Sequence, residues 1–212
     1  MALVLALLLV LSWAHNRARG LGPRMHQVLL GALFGIAACW GMMSPVELSP
    51  GIIVDSRAVL VSLAALFGGF LAGSVAALPV CALRLFLGGV GTAGGIIAVL
   101  AGLFLGGILA LYLRRRGQQV GYRHLLLLGV FTSLASLAST ILLPGSLALP
   151  TFQSIFLSVG VIYSLGTLVL GTLVMIETER RVAERARQHS DQRFRRATNA
   201  SQIGVWEWDV AS

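Results

Sequence analysis

"PGIIVDSRAVLVSLAALFGGFLAGSVAALPVCALRLFLGGVGTAGG", residues 50–95, holds the key to how this chain is organised. Its apolar run from 57 to 87 would reach about 46 Å as one continuous helix at 1.5 Å per residue. A bilayer core is about 30 Å thick. The run is therefore too long for one upright span and too short for two full ones, and Gly68 and Gly69 stand near its middle. Two short helices turning at Gly68-Gly69 fit best, with Pro50 and Gly51 as the turn that leads into them.

Working outward, the apolar stretches 25–43, 91–113, 125–143 and 152–176 are each long enough to cross a membrane and free of charge. Arg17, Arg19 and Arg24 lie in the loop 14–24, and Arg114, Arg115, Arg116 and Arg123 in the loop 114–124. Positively charged loops stay in the cytoplasm, so an even number of crossings must separate these two. With 25–43 and 91–113 counted, the 57–87 run must cross twice or enter and return. The loops around Pro50, around Gly88 and at 144–151 then face outward, and the C-terminus is cytoplasmic. Residues 1–13 are apolar but short for a span, and they lack a basic start or a clear cleavage site.

Composition supports the same class. Of 212 residues, 57% are hydrophobic and 11% charged, and the mean hydropathy is +0.86, far from the balance of a soluble domain. All 16 basic residues are Arg, against 8 acids, for a net charge of +8. The excess sits in short membrane loops, a topology signal rather than a nucleic-acid surface, and no nucleic-acid partner is expected. After 176 only 36 residues remain, too few for a complete enzyme domain.

Small residues four apart (Gly31/Gly35, Gly69/Gly73, Gly91/Gly95, Gly102/Gly106) allow helix backbones to approach closely in lipid. From Thr172 to Ile203 there is no Gly or Pro, and Glu177/Arg181 is a pair at helical spacing, so the last span continues as a helix into the cytoplasm. Val182, Ala186 and Phe194 are its candidate relay positions, although its apolar pattern does not sustain a clean heptad. After Asn199, "IGVWEWDV" alternates like a half-buried β-strand. A lone strand is not stable, so the chain reads as a fragment.

The chemistry concentrates in the opening stretch. Asp55 and Arg57 stand at the outer entrance of the first short helix, and Arg84 with Gly88, Gly89 and Gly91 near the outer end of the second. Ionisable groups bordering a membrane pair, snorkel or line a wet cavity. One reading is an anion site, in which Arg57 and Arg84 fork onto a small carboxylate or phosphate while the glycine turn offers backbone N–H donors. The other pairs Asp55 with one arginine and lets the second reach lipid headgroups. The residues leave both open. Ser133, Ser136 and Thr140 belong to a polar helix face, "TSLASLAST", that most often serves packing, with ligand contact as the less common reading. Cys39 and Cys81 read as small buried hydrophobes. His15, His26, His124 and His189 form no metal or catalytic cluster, so no metal, cofactor or catalytic residue is expected.

The combination Pro50-Gly51, Asp55-x-Arg57, Gly69, Arg84 and Gly88-Gly89-x-Gly91 resembles the core signature of the LytS-type five-transmembrane receptor domain, the membrane input module of certain sensor histidine kinases and diguanylate cyclases. The resemblance covers roughly residues 25–176. The tail "RFRRATNASQIGVWEWDV" is similar to the opening of a PAS domain. Together these imply a bacterial inner-membrane sensor, multi-pass, with a link to cell-wall control and with kinase or cyclase output in a domain that this sequence does not include.

The expected fold is thus an all-α polytopic membrane bundle of about five to seven transmembrane or half-membrane helices, with a cytoplasmic signalling helix and the truncated start of an α/β PAS domain. Its divisions are 1–24, an apolar segment and basic loop; 25–176, the receptor domain; 177–198, the linker helix; and 199–212, the PAS-like start. Expected partners are the lipid bilayer, a small carboxylate or phosphate, and a second copy joined through the exit helix. Two alternatives from other classes are a solute-binding membrane subunit of a transporter, which has no need of a charged exit helix or PAS start, and a vestigial membrane protein left by a frameshift.

Overall fold

The computed structural model describes residues 22–43, 46–49, 52–54, 56–89, 91–142 and 145–201. The expectations placed on residues 1–13, on Pro50, Gly51 and Asp55, and on the strand after Ser201 lie outside the described residues. The order of elements is α1 Pro23–Met43, β1 Val46–Ser49, β2 Ile52–Val54, α2 Arg57–Leu87, α3 Thr92–Arg116, α4 Tyr122–Ala138, a 3-10 turn Ser139–Leu142, and α5 Gly145–Ser201. The chain forms two units, Met1–Leu173 and Val174–Ser212.

Among the described residues, four helices are long and apolar enough to cross a membrane, Arg24–Met43, Arg57–Leu87, Thr92–Arg116 and Phe156–Glu184, and Tyr122–Ala138 is a shorter apolar one. Ile36 and Trp40 on α1, Leu78 and Phe86 on α2, Ile108 on α3 and Leu134 on α4 are all at least half exposed. Large apolar side chains turned outward on successive helices are the surface expected against lipid tails, where backbone groups must be satisfied within helices.

Helix α2 is a folded hairpin. Gly69 has φ 79° and ψ −177°, which breaks the helix into the arms 57–68 and 70–87. A methyl group on Gly73 would stand 2.7 Å from the Ala65 Cβ, whereas residues eight apart on a straight helix are separated by about 12 Å. The arms therefore run antiparallel around Gly69, at the turn that the length of the run demanded. The first arm is almost entirely buried, from Ala58 through Leu66.

Glycine governs what packs on this hairpin. Gly31 and Gly35 of α1 lie against Ala72 and Ala76 of the second arm, and Gly102 and Gly106 of α3 lie against the carbonyls of Ala58 and Ser62 on the first. Backbones this close leave no room for a Cβ, the small-residue contact that substitutes for hydrophobic driving force in lipid. Phe70 and Phe104 meet edge to face at 6.1 Å and tie the start of the second arm to α3. Further along, Gly129 of α4 packs on Tyr163 and Ser164 of α5, and Leu125 on Gly171.

These contacts fix which ends lie together. Leu30 of α1, the Gly69 turn and Arg114 of α3 share one end, because Leu30 touches Gly68 and the Arg114 guanidinium lies 3.7 Å from where a Gly69 Cβ would be. Gly41 of α1 approaches Ser56 at the other end, and Ser139 approaches Gly94 there. Helix α4 rises from the arginine-rich end and α5 returns to it, so Leu173 lies at the same end as Arg114.

The structure departs from expectation at three places. The 144–151 segment, taken as an outer loop, is helical from Gly145, because Pro150 falls early in α5 and removes only the bond to the Ser146 carbonyl. The span expected at 125–143 stops as an α-helix at Ala138 and tightens into the 3-10 turn. The region around Pro50, expected as a loop, is flanked by an antiparallel pair with Val46 opposite Val54 and an irregularity between Glu47 and Ser49. Its β-branched Val46, Ile52, Ile53 and Val54 suit that conformation.

Candidate functional site

In a straight helix Arg57 and Arg84 would be about 40 Å apart. The hairpin brings them to one place. A methyl group on Gly95 would stand 2.7 Å from Arg57 Nη2 and 3.1 Å from Arg84 Nε, and one on Gly91 would stand 3.2 Å from Arg84 Nη2. Two guanidinium groups from opposite arms thus lie on the same bare turn of α3, and Arg84 Nε is closed off from solvent.

The depth of the site follows from the packing of the first arm. The Ala58 carbonyl lies against Gly102, seven residues further along α3 than Gly95, which is roughly 10 Å. The Arg57 backbone is therefore recessed within the bundle, and its side chain extends back along α3 to the level of Gly95. Arg57 itself is only partly exposed.

Backbone dipoles add to the charge. Arg57 opens the first arm and Gly91 precedes α3, so two helix N-termini, each carrying about half a positive charge, accompany the two guanidinium groups. Arg84 lies in the last turn of the second arm, where a cation suits the helix dipole, whereas Arg57 occupies a helix start, where it does not.

The glycines divide by task. Gly88 and Gly89 have φ 66° and 97°, values that side chains rarely adopt, and they make the reversal between α2 and α3. The Gly88 N–H donates to the Arg84 carbonyl at 3.1 Å, and the Thr92 N–H and hydroxyl both donate to the Gly89 carbonyl, at 3.1 and 2.8 Å. The Gly88 N–H is thus spent on capping the arm that carries Arg84. Gly91 and Gly95 instead provide the space that the guanidinium groups occupy. Gly95 escaped the sequence reading as a site residue; its signal was the four-residue spacing to Gly91, taken there as helix packing. Of the turn residues, Gly69 is the break itself and Gly68 is buried against Leu30 and Ala72.

The relay positions Val182 and Ala186 are exposed on α5, and Phe194 lies on the same helix. In this segment Arg180 Nε donates to Glu184 Oε1 at 3.2 Å, an exposed pair one helical turn apart. Such a pair supports an isolated helix by a few tenths of a kcal/mol, about 0.2–0.5.

Compared with known proteins, residues 15–176 match the family model described as 5TMR of 5TMR-LYT. No curated protein and no solved structure was found to match the chain.

Proposed function

The chain belongs to the LytS-type five-transmembrane receptor family, and from that premise we propose that it senses a small anion at Arg57 and Arg84 and relays the event through α5. As a member of that family it is a multi-pass membrane input module. The observation that carries the finer reading is the convergence of both guanidinium groups on Gly95 from the two arms of one hairpin. A small carboxylate or phosphate there would accept forked hydrogen bonds from both.

A sensor needs two states that the ligand distinguishes. An anion accepting hydrogen bonds from both guanidinium groups would link the two arms. Ligand binding therefore favours arms drawn together over arms held apart, and α3, which carries Gly95 at one end and Arg114 at the other, feels the change along its length. The arginine-rich end, with Arg24 and Arg114–Arg116, is assigned to the cytoplasm by the positive-inside rule. On this reading α5 leaves toward a PAS domain and a kinase or cyclase in a bacterial inner-membrane protein, joined as a dimer through α5.

The test is disulfide crosslinking in membranes through cysteines placed at 182, 186 and 189, with and without acetate or inorganic phosphate. The expected result is a dimer whose crosslinking pattern changes with the anion in the native background and stays fixed in Arg84→Ala. An absent dimer, or the same pattern under every condition, would count against the relay. A second reading, the solute-binding subunit of a transporter, draws on the broken helix at Gly69, a feature of transport sites. Anion uptake by proteoliposomes would favour it.

A further inference from the structure

Helices α4 and α5 are pressed together along one face and part along the next. Leu125 packs on Gly171, and Gly129 on Tyr163 and Ser164, which closes the contact from the middle of α4 to its arginine-rich end. Beside that contact runs an open groove of about 620 Å³, whose walls include Tyr122, Arg123 and Leu126 of α4 and Val169, Thr172 and Leu173 of α5. All of these residues belong to the unit that ends at Leu173.

The groove changes character along its length. Its inner part is apolar, with Leu126 and Val169 about half exposed. It is continued inward by Val130, four residues beyond Leu126, and by Leu165, four residues before Val169, both exposed as well. Such a seam suits a hydrocarbon chain, which is what surrounds a helix in a bilayer. The mouth is of another kind. Tyr122 and Arg123 are both exposed there. Helix α4 starts at Tyr122, so the N-terminal end of its dipole, about half a positive charge, stands at the same place. A tyrosine suits the headgroup level of a membrane, and an arginine at that level attracts anionic lipid.

We propose that this groove binds an anionic phospholipid, with the headgroup phosphate at Arg123 and the upper part of one acyl chain laid between α4 and α5. Charge selects the occupant. A zwitterionic lipid would bring a second cation to a mouth that already holds Arg123 and a positive helix end, whereas an anionic lipid brings none. A second copy of this chain would set another Arg123 at the same level, because a membrane holds copies of one chain in one orientation. The site lies at the opposite end of the bundle from Arg57 and Arg84 and does not depend on them. A lipid there bridges α4 and α5 on the side where they part, so lipid composition bears on how firmly α5 is held.

The experiment is native mass spectrometry of the 212-residue chain released from nanodiscs of phosphatidylglycerol and phosphatidylcholine in equal parts, for the native protein and for Arg123→Ala, Arg115→Ala and Val169→Trp. The native chain should keep phosphatidylglycerol in preference to phosphatidylcholine. Arg123→Ala should lower that preference about fivefold, as for one arginine beside an anionic surface. Arg115→Ala removes an exposed arginine of the same end that does not line the groove, and should leave the preference unchanged. Val169→Trp fills the groove and should reduce retention of both lipids. Val169 is 55% exposed, so the helix accommodates the larger side chain, and circular dichroism checks that it does. Equal retention of the two lipids by the native chain overturns the proposal. Equal losses in Arg115→Ala and Arg123→Ala also overturn it, since the preference would then belong to the general charge of that end. Undiminished lipid on Val169→Trp removes the groove as the place of binding, and a native dimer without lipid gives the groove to a second copy.

Discussion

At the scale of single residues, Gly69 and the arginine pair depend on one another. Gly69 is held at φ 79° and ψ −177°, a region open in practice only to glycine. A methyl there would meet only Arg114, at an ordinary 3.7 Å. The cost of Gly69→Ala is therefore backbone strain rather than crowding, of order 1–3 kcal/mol. Thermal unfolding in detergent should show Gly69→Ala clearly destabilised, and an unchanged melting temperature would mean that the turn lies elsewhere. The convergence of Arg57 and Arg84 was legible in the sequence, because a run of that length must fold back and its ends must then meet. That Ser136 is the hydroxyl of "TSLASLAST" left without a hydrogen-bond partner among the described residues was not legible. Serines at helical spacing look alike until the geometry shows which of them bond back to the helix.

Among the elements, α2 folds back and α3 is fitted to it by glycine. Spin labels on cysteines at Ser56 and Leu85, beside Arg57 and Arg84, in a background with Cys39 and Cys81 replaced, should report a short distance. A straight helix would hold those positions about 44 Å apart, so a distance of that size would contradict the hairpin. Glycines that pack differ from glycines that do not. Gly106→Ala places a methyl against the Ser62 carbonyl, whereas Gly160→Ala meets open space. The first should lower stability by about 1–3 kcal/mol. The second should leave it unchanged or raise it by up to about 1 kcal/mol through helix propensity. Equal melting temperatures for the two variants would contradict the packing described for α3. The four-residue glycine spacing announced these contacts, but it could not say which helix each glycine faces. The β-pair at Val46–Val54 and the early start of α5 were missed because Pro and Gly near 50 and 144–150 read as loop, and local turn signals are overridden where the flanking residues pair or coil.

At the level of the whole molecule, the described part of the unit ending at Leu173 is a hairpin packed among helices, with Arg57, Arg84 and two helix N-termini gathered at one end and Arg24 and Arg114–Arg116 at the other. Apolar length, loop charge and glycine spacing carry most of that arrangement, since the bilayer permits few solutions. What they could not carry is the fit of both guanidinium groups onto Gly95, which exists only once α2 and α3 are assembled. The central proposal is that Arg57 and Arg84 together bind an anion. It is tested most directly by thermal-shift screening of small carboxylates and phosphates against the purified protein in nanodiscs, with Arg57→Ala and Arg84→Ala in parallel. The account predicts a compound that raises the melting temperature of the native chain and of neither variant, by about 2.7 kcal/mol in stability at a hundredfold excess over its Kd. A screen in which nothing stabilises the native chain, or in which the variants respond as it does, would contradict the claim and leave the arginines as structural groups.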